Sequence, residues 1–217
     1  MFIGHFAVGY AAKRAAPGLS LAVLFAAAQL PDLLWPLLVA AGIEQVRIDP
    51  GNTVVTPLDF ISYPYSHSLL LLVVWGVIFG TLARAFSHAR RALVVVAALV
   101  VSHWVLDFLT HRPDMPLYPG GPKAGLGLWN FKAATVIVEV GMYAAGVWIY
   151  WHATRARDAI GRWASLALAL VLLAIYAANV TGPPPPSIAA IWISGIAGGP
   201  LLCAWAWWAD RHREVTP

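Results

Sequence analysis

Apolar residues recur along this chain in long unbroken runs. The polar residues are of two kinds: basic clusters that end the runs, and isolated histidines and acids set within them. A helix needs about 20 apolar residues to cross a bilayer. Five runs reach or approach that length, at roughly 67–84, 91–110, 133–152, 162–180 and 187–209. A sixth, 19–41, is long enough but is interrupted by Pro31, Asp32 and Pro36. Proline removes a backbone donor and kinks a helix. Inside a membrane such a break survives where protein or a water-filled cavity satisfies the freed groups. A shorter segment, 2–16, ends at a basic turn running from Lys13-Arg14 to Pro17-Gly18. The pattern predicts an all-α fold: a polytopic transmembrane helix bundle of six long spans plus a short N-terminal helix. Residues 1–155 carry every candidate site residue. Residues 156–217 add two further transmembrane helices with no candidate site residue, expected to be scaffold of the same domain, with a dimer surface or a lipid channel wall as the alternatives.

Composition agrees. The chain has 217 residues, 60% hydrophobic and 11% charged, whereas a soluble domain carries about 25% charged residues. The single cysteine, Cys203, excludes a disulfide within the chain and a cysteine-based zinc site. The pI near 9.5 does not point to nucleic acid, because the basic residues sit where apolar runs end. Ten of the fourteen fall at Lys13 and Arg14, at Arg84, Arg90 and Arg91, at Arg155, Arg157 and Arg162, and at Arg211 and Arg213. These places alternate between runs, so the positive-inside rule makes them cytoplasmic. The C-terminus is then cytoplasmic in a bacterial inner (plasma) membrane. The loops at about 42–66 and 111–132 face outward, as does the stiff Gly182-Pro-Pro-Pro-Pro186 connector. Lys13-Arg14, the run from Leu19 and Ala26-Ala27-Ala28 have the layout of a signal peptide. The run continues past those alanines through Trp35, so no cleaved leader is expected.

The isolated polar residues gather at one depth. His103, Asp107 and His111 are spaced i, i+4, i+8, on one stripe of a helix. His67 opens the preceding span. Asp32 lies 14 residues beyond the basic turn at Gly18, roughly 20 Å at 1.5 Å per residue. An antiparallel hairpin about Pro17-Gly18 brings His5 beside Leu30 to Asp32, and Glu139 lies about two turns into its span. A charge in lipid is costly and faces a partner, a cavity or an ion. Histidine and carboxylate together suit a divalent metal. More ordinary roles exist for single members. A lone buried histidine is often a hydrogen-bonded structural group, Asp32 can cap a broken helix, and Glu139 can pair with Lys132 or Lys123. His88, His152 and His212 sit among arginines on a solvated face.

Five short motifs occur in order: Gly4-His5, Leu30-Pro31-Asp32, Ser66-His67-Ser68, Ser102-His103-x-x-x-Asp107 and Pro116-Leu117-Tyr118-Pro119. Together they resemble the family of LexA-binding, inner-membrane-associated metal-dependent hydrolases, over roughly residues 1–150. Many members read Leu-Pro-Asp-Ile-Asp at the second motif. Here Leu33-Leu34 omits the second carboxylate. The order His, Asp, His, His-x-x-x-Asp, His, then a late Glu is also similar to the ligand order of zinc-dependent phospholipase C and P1-type nucleases. Those enzymes place a histidine four residues before the final Glu, a place held here by Thr135. At most two ions are expected rather than three.

These observations lead to a membrane-embedded metal-dependent hydrolase acting on an ester or phosphoester of a lipid-like substrate. One or two divalent ions, Zn²⁺ foremost, are held by His5, Asp32, His67, His103 and Asp107, with His111 at a second site or behind the first. Asp32 or Glu139 serves as general base. Arg112, Lys123 and Lys132 receive an anionic headgroup. The expected partners are the bilayer and the substrate, with no nucleic acid; a homo-oligomer through Gly195, Gly198 and Gly199 is open. The alternative is a small ion- or proton-coupled transporter, since transporters also use broken helices and buried carboxylates. A structural partner acting through its short loops is the third.

Overall fold

The computed structural model describes residues 1–87 and 89–216. Its helices are α1 (Ile3–Ala15), α2 (Leu21–Ala28), α3 (Leu30–Ala40), α4 (Pro64–His67), α5 (Leu69–Ser87), α6 (Ala92–Thr110), α7 (Lys132–Ala153), α8 (Ala159–Thr181) and α9 (Ile188–Arg211). Among the described residues, α5, α6, α7, α8 and α9 are each long and apolar enough to span a membrane. The bent pair α2–α3 provides a sixth candidate. A helix satisfies its own backbone, which lipid requires. Phe86, Ile137 and Leu201 are 85%, 72% and 68% exposed, as expected of side chains that face lipid.

The break in the sixth span differs from the expected one. The helix ends at Gln29 (φ −104°, ψ 7°) and α3 starts at once, bent by 58°. Pro31 therefore stands in the first turn of a new helix, where its missing N–H costs nothing. Pro36 lies inside α3 without ending it. Asp32 sits in that first turn but makes no side-chain cap.

Without a hydrophobic drive between helices in lipid, small residues set the close contacts. A Cβ on Gly146 of α7 would stand 2.3 Å from the Ala7 carbonyl of α1, and one on Gly80 of α5 would stand 2.6 Å from the Leu93 carbonyl of α6. On α9, Gly195 and Gly199 close against Pro36 and Leu33 of α3. These two glycines of the last helix thus pack within the chain. Helices α8 and α9 join the same bundle, through α1 and through α2 and α3 respectively.

Three antiparallel pairs of short strands add to the helical bundle: β1 (Gln45–Ile48) with β2 (Leu58–Ser62), β3 (Met115–Pro116) with β4 (Lys123–Ala124), and β5 (Thr154–Ala156) with β6 (Arg213–Val215). The first two fold over the end where α3 finishes and α5 and α7 begin. The third lies at the opposite end, which carries the basic residues. There Arg155 Nη2 pairs with Glu214 Oε1 at 2.5 Å, and His212 Nδ1 lies 2.6 Å from Asp158 Oδ2. His152 bonds the Trp148 carbonyl of its own helix. His88 lies outside the described residues. Two apolar clusters form the interior. One joins α2, α5 and α6 through Leu24, Leu72, Val96 and Val100. The other joins α1, α7 and α8 through Phe6, Tyr143, Leu168 and Leu172.

Candidate metal centre

The polar site forms at the seam between these clusters, and the broken span builds part of it. A helix end leaves its last carbonyls without intrahelical partners. The Ala28 carbonyl, freed by the break, accepts from His103 Nδ1 at 2.8 Å. A carbonyl only accepts, so that nitrogen carries the proton, and the neutral ring presents a lone pair at Nε2. His103 Nε2 faces Asp107 Oδ2 at 3.1 Å and Asp32 Oδ1 at 3.8 Å. The closer contact is not aligned as a hydrogen bond, and Nε2 has no such partner among the described residues.

His67 is oriented by a relay from the β1–β2 region. Glu44 accepts from the amides of Tyr65 (2.8 Å) and Ser66 (2.9 Å) and from the Ser66 hydroxyl (2.6 Å). The hydroxyl proton thereby points at Glu44, so Ser66 accepts from His67 Nδ1 at 2.7 Å. His67 Nε2 is left facing Asp32 Oδ1 at 3.5 Å and Asp107 Oδ2 at 3.9 Å.

His111, just beyond α6, repeats the scheme. Its Nδ1 lies 2.9 Å from Asp114 Oδ1, an oxygen that also accepts from the Tyr63 hydroxyl at 2.8 Å. Its Nε2 faces Asp107 Oδ2 at 3.9 Å. Burial pushes the His111 imidazole below its ordinary value against the raising effect of Asp114 and Asp107. Burial alone would raise the Asp114 carboxyl, but hydrogen bonds from His111, Tyr63 and Arg112 hold it below the usual carboxylate range.

On α1, His5 Nε2 lies 3.0 Å from Asp107 Oδ1, and its ring stacks on His103 at 3.6 Å between centroids. The Met1 amino group also touches Asp107 Oδ1. Helix α1 is held at its start by Glu139 of α7, whose Oε2 accepts from the Phe2 amide at 2.8 Å with the Gly4 amide at 3.5 Å.

His5, Asp32, His67, His103 and Asp107, far apart in sequence, thus meet at one place. Two groups can each offer ligand atoms within 4.8 Å of one another: His5, His103 and Asp107, and Asp32, His67 and His103. His103 belongs to both. His5 and His103 are fully buried, whereas the Asp32 side chain is 40% exposed and opens onto a cleft.

That cleft has a volume of about 990 Å³, at the upper end of the range of small-molecule sites. Asp32, His67, Asp107, His111 and Glu139 line it on one side. Its other wall comes from α8, the proline connector and α9. The helices expected to be plain scaffold therefore border the site.

The remaining expected residues are placed differently. Glu139 receives backbone amides rather than Lys123 or Lys132. The Arg112 guanidinium bonds Asp59, and its Nε reaches Asp114 at 3.3 Å. Lys123 bonds the Ile61 carbonyl at 3.2 Å. Neither Arg112 nor Lys123 lines the cleft. Sequence reasoning missed Glu44, Tyr63 and Asp114 altogether, and quoted Ser66 only as part of a motif. The i, i+3 spacing of His111 and Asp114 was the one available signal.

Searches of curated proteins and of solved structures returned no significant match. A family model matches residues 1–182, and the chain belongs to the YdjM inner membrane protein family.

Proposed function

We propose that this protein is a membrane-embedded, divalent-metal-dependent hydrolase acting on an ester or phosphoester of a lipid-like substrate. One observation carries the reading. His67, His103 and His111 each have Nδ1 against a protein acceptor; His67 and His103 turn Nε2 toward both Asp32 and Asp107, and His111 turns it toward Asp107. Ligating histidines are held in this way, with the second nitrogen fixed by a carboxylate, carbonyl or other acceptor. Asp107 already meets the Met1 ammonium and His5, so the cost of a buried gathering without a further cation falls on Asp32 and the Nε2 lone pairs of His67 and His103.

His5, His103 and Asp107, or Asp32, His67 and His103, would hold an ion; His103 has a single free lone pair, so it would serve only one of the two places. Nitrogen and oxygen ligands without sulfur suit zinc. A bound divalent ion supplies a Lewis acid and lowers the pKa of its water toward 7. The chain's own residues do the rest. Asp32, open to the cleft, is placed to take a proton from water. Glu139 fixes the start of α1 and with it His5, so it acts as a positioning residue. The apolar cleft walls exclude bulk water from the reacting bond. The cluster supports the metal-hydrolase part of the sequence resemblance; LexA binding remains only an implication of that resemblance.

The positive-inside rule, read on the basic clusters, supports a cytoplasmic C-terminus and a site toward the external face. Reporter fusions at the C-terminus and in the 42–66 loop would check this. The main test is metal content and hydrolysis by the purified full chain in nanodiscs. Stoichiometric zinc and zinc-dependent hydrolysis are expected, both lost in His103→Ala. A His103→Ala protein that keeps both would overturn the assignment. The 58° break between α2 and α3 favours transport as the second reading. Ion or proton flux across vesicles without hydrolysis would select it.

A further inference from the structure

The cleft continues well past the histidines. Along α9 its lining runs from Ala190 to Cys203 at helical spacing, through Ser194, Gly198 and Leu202. Those 13 residues of rise cover about 20 Å, against about 30 Å for the hydrocarbon layer of a bilayer. Opposite lie Leu33 and Pro36 of α3 and Ile175 of α8. The walls are mainly apolar, and the polar end is the Asp32–His67–Asp107 cluster.

The three glycines of α9 do different things. A Cβ at Gly195 or Gly199 would strike Pro36 or Leu33, at 2.6 Å and 2.4 Å. These two let the helix close on α3. At Gly198 an added Cβ meets no atom within 4 Å, yet the residue lines the cleft. Gly198 therefore keeps the cleft open rather than helping the bundle close.

We propose that the channel between α3, α8 and α9 seats the hydrocarbon chain of a membrane amphiphile, with its polar head at the His–Asp cluster and Gly198 setting the room beside it. The proposal rests on the hydrolase reading for where the head group reacts. Continuity with the polar cluster, apolar walls and a length of about two-thirds of the hydrocarbon layer select this occupant over a soluble metabolite.

The test uses the full chain in nanodiscs and a long-chain alkylphosphonate carrying a diazirine near the end of its tail. Crosslinked residues are mapped by mass spectrometry. Crosslinks are expected to concentrate on cleft residues such as Ile175, Ser194 and Leu202. Untagged long-chain alkylphosphonate should compete; methylphosphonate should not. Gly198→Phe fills the space and should cut cleft labelling about tenfold, the scale expected when a fitted cavity is overpacked. Gly198→Ala should cut it about twofold on the same grounds, in case the larger side chain impairs folding. Labelling spread equally over outward residues such as Ile193 and Leu201, or unmoved by both variants, overturns the proposal. Hydrolysis of a long-chain phosphoester is measured in parallel. Cleft labelling without hydrolysis under any divalent ion keeps the chain seat and removes the hydrolase. Hydrolysis with labelling elsewhere does the reverse.

Discussion

At the basic end of the bundle, Asp210 Oδ2 accepts from Lys13 Nζ (2.7 Å) and the Leu21 amide (3.0 Å), while Oδ1 accepts from the Tyr150 hydroxyl (2.9 Å). Lys13 also donates to the Leu19 carbonyl at 2.9 Å. At the other end, Asp107 Oδ2 faces the Nε2 atoms of His67, His103 and His111 at 3.1–3.9 Å. Both clusters are buried and both join several helices. In the first, every acceptor has a donor and the charges cancel. In the second, the Met1 amino group and His5 meet Asp107 Oδ1, but the Nδ1 protons of three imidazoles are turned outward to second partners, so their Nε2 atoms face carboxylate oxygens. The first holds helices together; the second has the donor set that a cation would fit. Burial of charge alone does not distinguish a clamp from a site, whereas the direction of the protons does.

The largest expected effect comes from opening the closed cluster. Asp210→Ala leaves the Lys13 ammonium buried without its carboxylate, and removal of one partner of a buried pair costs about 3–5 kcal/mol. Denaturant unfolding in detergent should show this, and metal should not restore it. Next in size is metal itself. Zinc at about a hundredfold over its Kd should stabilise the wild type by about 2.7 kcal/mol. A chelator should remove that gain, and His103→Ala should never show it. A comparable zinc gain in Asp210→Asn, which leaves the far site untouched, would sharpen the contrast between the two ends.

A third, smaller effect isolates proton direction. Ser66→Ala removes the acceptor of His67 Nδ1 while leaving the ring in place. Metal affinity should fall about 10- to 100-fold, as when an outer partner of a ligand is lost, and because the Ser66 hydroxyl also donates to buried Glu44, metal-free stability should fall by about 1–3 kcal/mol. Titration calorimetry measures the first and unfolding the second.

The smallest is pH dependence of the metal-free protein. Burial holds His111 below its ordinary 6.5. As pH falls through that value the unfolded chain binds the proton that the folded one resists, so stability falls with falling pH. Asp114, held below its ordinary 3.8, contributes fully above that value and loses its contribution as pH drops through its lower folded value. Both effects therefore weaken the fold in acid. Asp114→Asn should flatten the lower part of the profile, read from unfolding midpoints.

The spans were legible because lipid imposes length and apolarity directly: the run at 91–110 is α6, Ala92–Thr110, almost to the residue. The break at 19–41 was legible as a break but not in place. Proline starts helices as readily as it ends them, and Pro31 does the former. His103, Asp107 and His111 could be read from helical spacing, and His5, Asp32 and His67 from depth. Glu44 and Tyr63 lie in loops without periodicity, where no spacing rule links them to the histidine they help to orient, and Asp114 offered only its i, i+3 spacing from His111. The cleft wall on α8 and α9 was hidden for a different reason. Gly195, Gly198 and Gly199 look alike in sequence, and only coordinates separate the two that pack against α3 from the one that faces open space.

The β5–β6 pair bears on how such a channel would fill. It stitches the end of α7 to the residues after α9, and Arg213 reinforces it by donating to Thr154 and to the Gly161 carbonyl. The α8–α9 hairpin is thereby pinned at its basic end, while the Pro183–Pro186 connector at the other end forms part of the cleft rim. Any widening that admits a lipid tail is then a swing about that fixed pivot, with the mouth gaping at the proline rim while the deep end near Cys203 stays shut.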